Sequence, residues 1–353
     1  MPASCDRRLR RLCAAWLGDD VATIDRVETS GFSGARVYRL VTREGAAWAV
    51  KSWGPADLAR ISWVHALVQH LGDAGIDEIP WVATRRGETV VIDDDGIAWE
   101  LARWIDGVAV ESPSLGQAAA ATACLARIHV AAAAWPECPV RHQPAAAVRR
   151  RLDHAERLLA NPWRLLLESP MTAGRAMAAD VPARLARAVA LFGAGDGARA
   201  IRRVASAPVP VVSGQAVLRD IWWEHVLFNL HGDRVAGVID LHAAGIDTPA
   251  TDLARLLGSW WPASSGEASA ANRREAAISA YQAIRPITAM ELRLVRWLDA
   301  TGVVFGLDNW FRWLLAESRG FGQPGRVAQR IERLLERLPE ALSELADGDG
   351  ITI

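Results

Sequence analysis

VLRDIWWEHVLFNLHGDRVAGVIDLH, residues 217–242, decides how the rest of the chain is read. It divides into a polar loop, a short apolar strand at 226–228, a turn carried by Gly232 and Asp233, and a second strand at 235–239. In a β-hairpin, Asp220 just before the first strand and Asp240 just after the second come to the same end of the pair. Converging carboxylates suit proton transfer and hard-cation binding.

The 353 residues predict two domains or lobes, at about 100–200 residues per domain. An apolar fraction of 51% is ample for a core, and a net charge of −1 supplies no field to draw in nucleic acid or an anionic membrane. Basic runs such as Arg149 to Arg151 sit in helical patterns with acids nearby and read as solvated faces. No stretch of about 18 uninterrupted apolar residues exists, and the opening MPASCDRRLRRL lacks the apolar segment of a signal peptide. The expectation is a soluble, cytoplasmic protein with no nucleic-acid or membrane partner. Cys5, Cys13, Cys124 and Cys138 show neither metal-knuckle spacing nor a dense disulfide pattern and read as reduced thiols.

Among 40 basic residues Lys51 is the only lysine, and the other 39 are arginines. It falls within the strand-like run AWAVKSW, where a slender ammonium can reach a phosphate that a planar guanidinium would meet differently. Before it, ATIDRVET (22–29) and ARVYRLVT (35–42) read as strands joined by SGFSG (30–34). Gly31 and Gly34 let the backbone bend and offer N–H groups, and Ser33 adds a hydroxyl, so the loop is able to cover phosphates. Alone that is a weak signal, and the lysine two strands later gives it value. After Lys51, Leu58, Ile61, Val64, Leu67, Val68 and Leu71 recur at helical spacing. TVVIDDDGIAWELARWIDG (89–107) reads as a hairpin with an Asp-Gly turn that leaves along Glu100 to Trp104, where the boundary between lobes is placed.

From about residue 114 the pattern is helical almost throughout. AAAATACLARIHVAAAAW predicts a largely buried helix whose His129 reads as a core histidine. Amphipathic helices are expected near 145–160 and 181–204, within a helical insert at about 137–216, and again at 272–285, 289–317 and 325–345. Trp297, Trp310 and Trp313 follow helical spacing and read as core. The final DGDGITI reads as a tail.

Taken in order, the glycine loop at 31–34, the strand lysine at 51, the link near 100–104, the hairpin with Asp220 and Asp240, and the following PATDLA resemble the aminoglycoside phosphotransferase and choline kinase family. That family has the protein-kinase-like fold. The resemblance implies an α+β, two-lobed protein: a small antiparallel β N-lobe over 1–105 that binds nucleotide, and a larger, mostly helical C-lobe over 106–353 that carries the catalytic hairpin 217–242. It further implies that Asp220 is the base on the substrate hydroxyl, Asp240 carries magnesium, and Asp252 braces the catalytic loop. In-line phosphoryl transfer needs positioning and charge neutralisation, and these residues supply both. Lys51 would hold the α- and β-phosphates of ATP, with Gly31, Ser33 and Gly34 covering them. Adenine would lie against Leu101, Ala102, Arg103 and Trp104 through backbone groups.

Two positions depart from the family. Where it has Asn five residues after the base, this chain has His225, which reads equally as a ligand that shifts the metal from magnesium toward manganese or as a hydrogen-bonding replacement. The helix after Lys51 should supply a Glu to pair with the lysine, yet residues 58 to 71 contain no acid, and His65 is the nearest polar candidate. Asp57, at the helix start, reads as an N-cap. Trp222 and Trp223 in the loop read either as an apolar wall for the acceptor or as loop packing, with packing favoured in a chain of 16 tryptophans, and Glu224 and His242 read as neighbours of the chemistry.

The function expected is therefore transfer of the γ-phosphate of ATP to a hydroxyl of a small molecule. The competing class is a nucleotide-binding pseudokinase with a regulatory or interaction role, and an all-structural helical protein ranks last. An aminoglycoside acceptor would call for clustered acids, whereas Glu267, Glu275, Glu291, Asp299, Asp308 and Glu317 spread over different helices. The identity of the acceptor and the oligomeric state stay open.

Overall fold

A computed structural model of the protein describes residues 3–18, 20–27, 35–55, 57–83, 88–168, 181–260 and 269–348. The glycine loop with Gly31, Ser33 and Gly34 lies outside them. The chain forms two compact units, each assembled from separate stretches of sequence.

The first unit takes in Met1–Pro139, Asp220–Gly245 and Ser259–Pro286. Its five-stranded antiparallel sheet has the order β1-β2-β3-β5-β4, with β1 Val21–Arg26, β2 Val37–Thr42, β3 Ala47–Pro55, β4 Val91–Ile92 and β5 Ile97–Arg103. Strand alternation decides its two faces. Tyr38, Leu40, Val50, Trp99 and Leu101 form a core with Leu9, Leu12 and Cys13 of helix α1, Ala3–Leu17. The residues between them along the strands, among them Val37, Ala49, Lys51, Trp53, Glu100 and Ala102, line a cavity instead. Helix α1 is a difference from the sequence reading, which found no helix before residue 57. Leu9, Leu12, Cys13 and Trp16 do follow three- and four-residue spacing, but in a short arginine-rich stretch where charge masks the apolar stripe.

Helix α2, Leu58–Asp73, forms where its spacing predicts, and Asp57 Oδ1 accepts the Arg60 N–H at 3.1 Å as its cap. Helix α3, Leu115–Ala133, starts with a capping box between Ser114 and Gln117. Its alanines let the helix Ala270–Gln282 approach closely: Thr122 Oγ1 donates to Ala277 O at 2.7 Å, and buried His129 meets the Tyr281 hydroxyl at 2.6 Å through Nδ1. His129 is thus a satisfied core histidine. The hairpin of β9 (Val226–Phe228) and β10 (Val235–Val238) is extended by β6, Val108–Ala109. Val226 pairs with Val238, so the residues before β9 and after β10 do share one end.

The second unit takes in Val140–Arg219, Ile246–Gly258 and Ile287–Ile353. It is mainly helical, with Ala146–Ala160, Ala289–Phe311 and Pro324–Asp347 among its longer helices. A three-stranded sheet of β7 (Arg141–Pro144), β8 (Val211–Val217) and β11 (Gly245–Asp247) interrupts the helical pattern expected there. These strands are short, and VVSGQAV mixes Gly and Gln into its apolar run, so no period shows. The helix expected at 181–204 is two, Val181–Ala194 and Gly197–Ala205, split at Asp196 with its left-handed φ of 49°.

Cys13, Cys124 and Cys138 are free and buried, and burial pushes the thiols of Cys13 and Cys124 up to about 12. Among the described residues no helix is long and apolar enough to cross a membrane.

Candidate active site

The cavity of about 360 Å³ lies within the first unit. Val27 comes to it from the end of β1, Ala35 and Val37 from β2 and its approach, Ala49 from β3, Val64 and Val68 from α2, and Leu227 and Ile239 from the hairpin. Ala102, Arg103, Trp104, Ile105 and Gly107 line the way out of β5. Gly107 is required there, because a Cβ would fall 2.8 Å from Phe228 O and 2.9 Å from Leu227 Cβ. The slot is mostly apolar with polar groups concentrated at Lys51, Glu100, Asp240 and the histidines around them, the usual character of a small-molecule site.

Lys51 Nζ lies 2.5 Å from Asp240 Oδ1, a contact between residues on β3 and just after β10. Burial opposes ionisation of Asp240, yet the Lys51 ammonium beside it holds its carboxyl below the usual range. Asp240 has a left-handed φ of 63°, and Arg219, immediately before Asp220, one of 64°. Such backbone costs roughly 1–3 kcal/mol in a non-glycine residue and persists only where neighbours enforce it. For Arg219 the enforcing group is Asp252, fully buried, whose Oδ2 and Oδ1 accept the Leu218 and Arg219 N–H groups at 2.6 Å each. For the turn after Asp240 it is Arg60 of α2, which donates to the carbonyls of His242 and Ala244 at 2.7 and 3.0 Å.

His225 has both ring nitrogens engaged. Nδ1 donates to the Asp220 carbonyl at 2.7 Å, and Nε2 accepts the Trp222 indole N–H at 2.9 Å. That assigns the Nδ1–H tautomer and spends the Nε2 lone pair a metal would need. Nε2 is 3.7 Å from Asp240 Oδ2. The donor set therefore fits a divalent cation at the Asp240 carboxylate, a single hard oxygen ligand of the kind magnesium takes alongside phosphate and water. It does not fit one at His225. Among the described residues no group of three or more His, Cys, Asp and Glu side chains is placed to hold a metal by itself.

Of the residues singled out from the sequence, Lys51, Ala102, Arg103, Trp104, His225 and Asp240 line the cavity. Leu101 does not: its side chain is in the sheet core, and its carbonyl accepts the Ala83 N–H at 2.7 Å. The N–H groups of Arg103 and Trp104 are given to Trp81 O and Ala47 O. Half-buried Asp220 is not a wall residue; it sits on the loop that His225 ties down.

Sequence reasoning singled out His65 and His242 but passed over the carboxylate that joins them in a buried cluster beside Lys51. Glu100, 9% exposed, accepts from Trp53 Nε1 at 2.6 Å and from His65 Nε2 at 2.8 Å, both on Oε2. His242 stacks on Trp53, 3.5 Å between ring centroids, and its Nε2 is 3.5 Å from Glu100 Oε1. Burial opposes the charge on Glu100, but the His242 and His65 rings and the Lys51 ammonium outweigh it and hold the carboxyl far below the usual range. The signal was an acid in the middle of the apolar strand IAWELAR, in step with Ala102 and out of step with Trp99 and Leu101.

A model of the phosphotransferase enzyme family matches residues 28–287. No curated protein matches the sequence. Several solved structures are similar along nearly the whole chain. A spectinomycin phosphotransferase in complex with ADP and spectinomycin is 13% identical, with a TM-score of 0.63 over 96% of this chain and 98% of that one. An amicoumacin kinase in complex with AMP-PNP, Ca2+ and Ami is 12% identical, with a TM-score of 0.61 over 96% and 97%. An aminoglycoside phosphotransferase from Alicyclobacillus acidocaldarius is 14% identical, with a TM-score of 0.55 over 92% of each chain. At such identities the likeness establishes the fold, the α+β protein-kinase-like one that the sequence resemblance implies.

Proposed function

The chain belongs to the phosphotransferase enzyme family, and on that premise we propose that it transfers the γ-phosphoryl group of ATP to a hydroxyl of a small molecule. The observation that carries this reading is the Lys51–Asp240 pair at 2.5 Å in the wall of an otherwise largely apolar slot. The base of the nucleotide lies among Val37, Ala49, Ala102, Leu227 and Ile239, and Lys51 holds its phosphates. A divalent cation held by Asp240 would supply charge neutralisation at the phosphate oxygens.

Asp220 orients the acceptor hydroxyl and takes its proton as the new oxygen–phosphorus bond forms and the bond from the γ-phosphorus to the bridging oxygen breaks, releasing ADP. His225 ties down the carbonyl of Asp220 in the loop that presents its carboxylate. Four of the acids after residue 255 are already engaged: Glu291 caps its helix, Asp299 and Asp308 pair with Arg337 and Arg312, and Glu317 meets Arg319. That disfavours a polycationic acceptor.

A thermal-shift titration with ATP, run without metal, with magnesium and with manganese, tests the nucleotide site first. Lys51→Ala should lose the shift while staying folded. Asp220→Asn should keep it and lower transfer to an identified hydroxylated acceptor by about 10²–10⁴-fold. Nucleotide binding with no transfer to any of a broad panel of alcohols and sugars would instead favour the pseudokinase reading, and no shift under any condition removes both.

A further inference from the structure

The partner of Lys51 in this structure is Asp240, the same carboxylate proposed above to hold the divalent cation. An ammonium and a divalent cation repel each other at one carboxylate, so a second carboxylate beside Lys51 would keep the ammonium aimed at the phosphates once the cation takes Asp240. Helix α2 does not provide it, because its sequence LARISWVHALVQHLGD has no acid before its last residue. Strand β5 does have one within reach. Lys51 and Glu100 are direct cross-strand partners in the β3–β5 register, so their side chains rise from neighbouring points on one face, and both line the cavity.

The surroundings of Glu100 hold it as an anion. Its Oε2 takes the Trp53 and His65 hydrogen bonds, and Oε1, with His242 Nε2 3.5 Å away, keeps a second lone pair for Lys51. His65 Nε2 must be the donor to the carboxylate, and its Nδ1 is set by the Thr89 hydroxyl at 2.7 Å. Helix α2 thus contributes a donor that fixes the carboxylate in place of a carboxylate of its own. Burying an anion this deeply is costly without a cation nearby, and Lys51, its direct cross-strand partner, is a cation on that face.

We propose that Glu100 is the positioning residue for Lys51, supplying from strand β5 the anion that steadies the ammonium for phosphate binding. The proposal rests on the reading of Lys51 as the phosphate-binding cation, and a double-mutant cycle on nucleotide affinity separates the two. Glu100→Gln keeps an acceptor for Trp53 while removing the charge. Calorimetric titration of the full chain with magnesium AMP-PNP should show about tenfold weaker binding for Glu100→Gln, and a further change within about twofold when the same substitution is made in Lys51→Ala. Glu100→Asp, which keeps the charge, should restore part of the affinity and serves as the second variant if Glu100→Gln is unstable.

Equal losses in both backgrounds would mean that Glu100 acts on the fold of the cavity and not through Lys51, and would overturn the proposal. Unchanged affinity in Glu100→Gln, with Lys51→Ala weakened, would also overturn it while leaving the nucleotide site standing. Unchanged affinity in Lys51→Ala would remove the nucleotide reading itself and the proposal with it.

Discussion

Each unit buries a carboxylate under a histidine and a tryptophan, and the two sites differ in where the cation comes from. In the second unit Asp308 accepts from His154 Nε2 at 2.7 Å and Trp163 Nε1 at 2.9 Å, and Arg312, one helical turn on, closes the set at 2.8 Å. In the first unit Glu100 accepts from His65 and Trp53, both on one oxygen, and the cation opposite it is bound to Asp240. Asp308 brings its own cation on its own helix, so its network is complete and can only stabilise. Glu100 shares a cation with a second carboxylate at the edge of a cavity, and that is an arrangement able to respond to a ligand.

The sharpest way to break this contrast is to delete each carboxylate. Asp308→Ala leaves three donors without an acceptor and should cost about 3–5 kcal/mol in urea unfolding, with the nucleotide affinity of the folded protein unchanged. A loss below about 1 kcal/mol would mean that the Asp308 network is not closed after all.

Acidification should give the next largest effect. Burial opposes the charge on Asp308, yet the His154 hydrogen bond and then Arg312 hold its carboxyl below the ordinary value of 3.8. Its contribution is therefore present above about pH 4 and is lost as the pH falls through the lower, folded value. Replacing it by Asn should flatten the acid limb of the stability curve by up to about one proton. An unchanged limb would locate the acid sensitivity in other carboxylates.

The smallest effect compares the indoles. Trp163→Phe and Trp53→Phe each remove one hydrogen bond to a buried carboxylate and should each cost about 1 kcal/mol of stability. Only Trp53→Phe should also weaken nucleotide binding, since Trp53 lines the cavity and Trp163 belongs to the helical core. Equal effects on binding would erase the distinction between the two sites.

Much of the first unit was legible because its signals are local. Alternation marked β2, three- and four-residue spacing marked α2, a long alanine-rich run marked α3, and the turn with Gly232 marked the hairpin. Helix α1 and the small sheet of β7, β8 and β11 escaped, the first under its arginines and the second because strands of four, seven and three residues carry too little period to read. At the site, Lys51 and Asp240 stood out by composition and by symmetry within the hairpin, while Glu100 was noticed only as the place where the sheet ends. His225 looked as much a metal ligand as a brace, since the Asp220 carbonyl and the Trp222 indole that occupy it are set by the folded loop.

The sequence by itself determined the elements and which residues share a strand face, because those follow from backbone periods of 2.0 and 3.6. Which anions a lone lysine meets was decided by tertiary structure alone. Lys51 and Asp240 are 189 positions apart, and Lys51 and Glu100 face each other only in the register that β3 and β5 adopt. A slip of one residue in β5 would turn Glu100 into the core and Leu101 into the cavity. The burial of Trp99 and Leu101 against α1 forbids it.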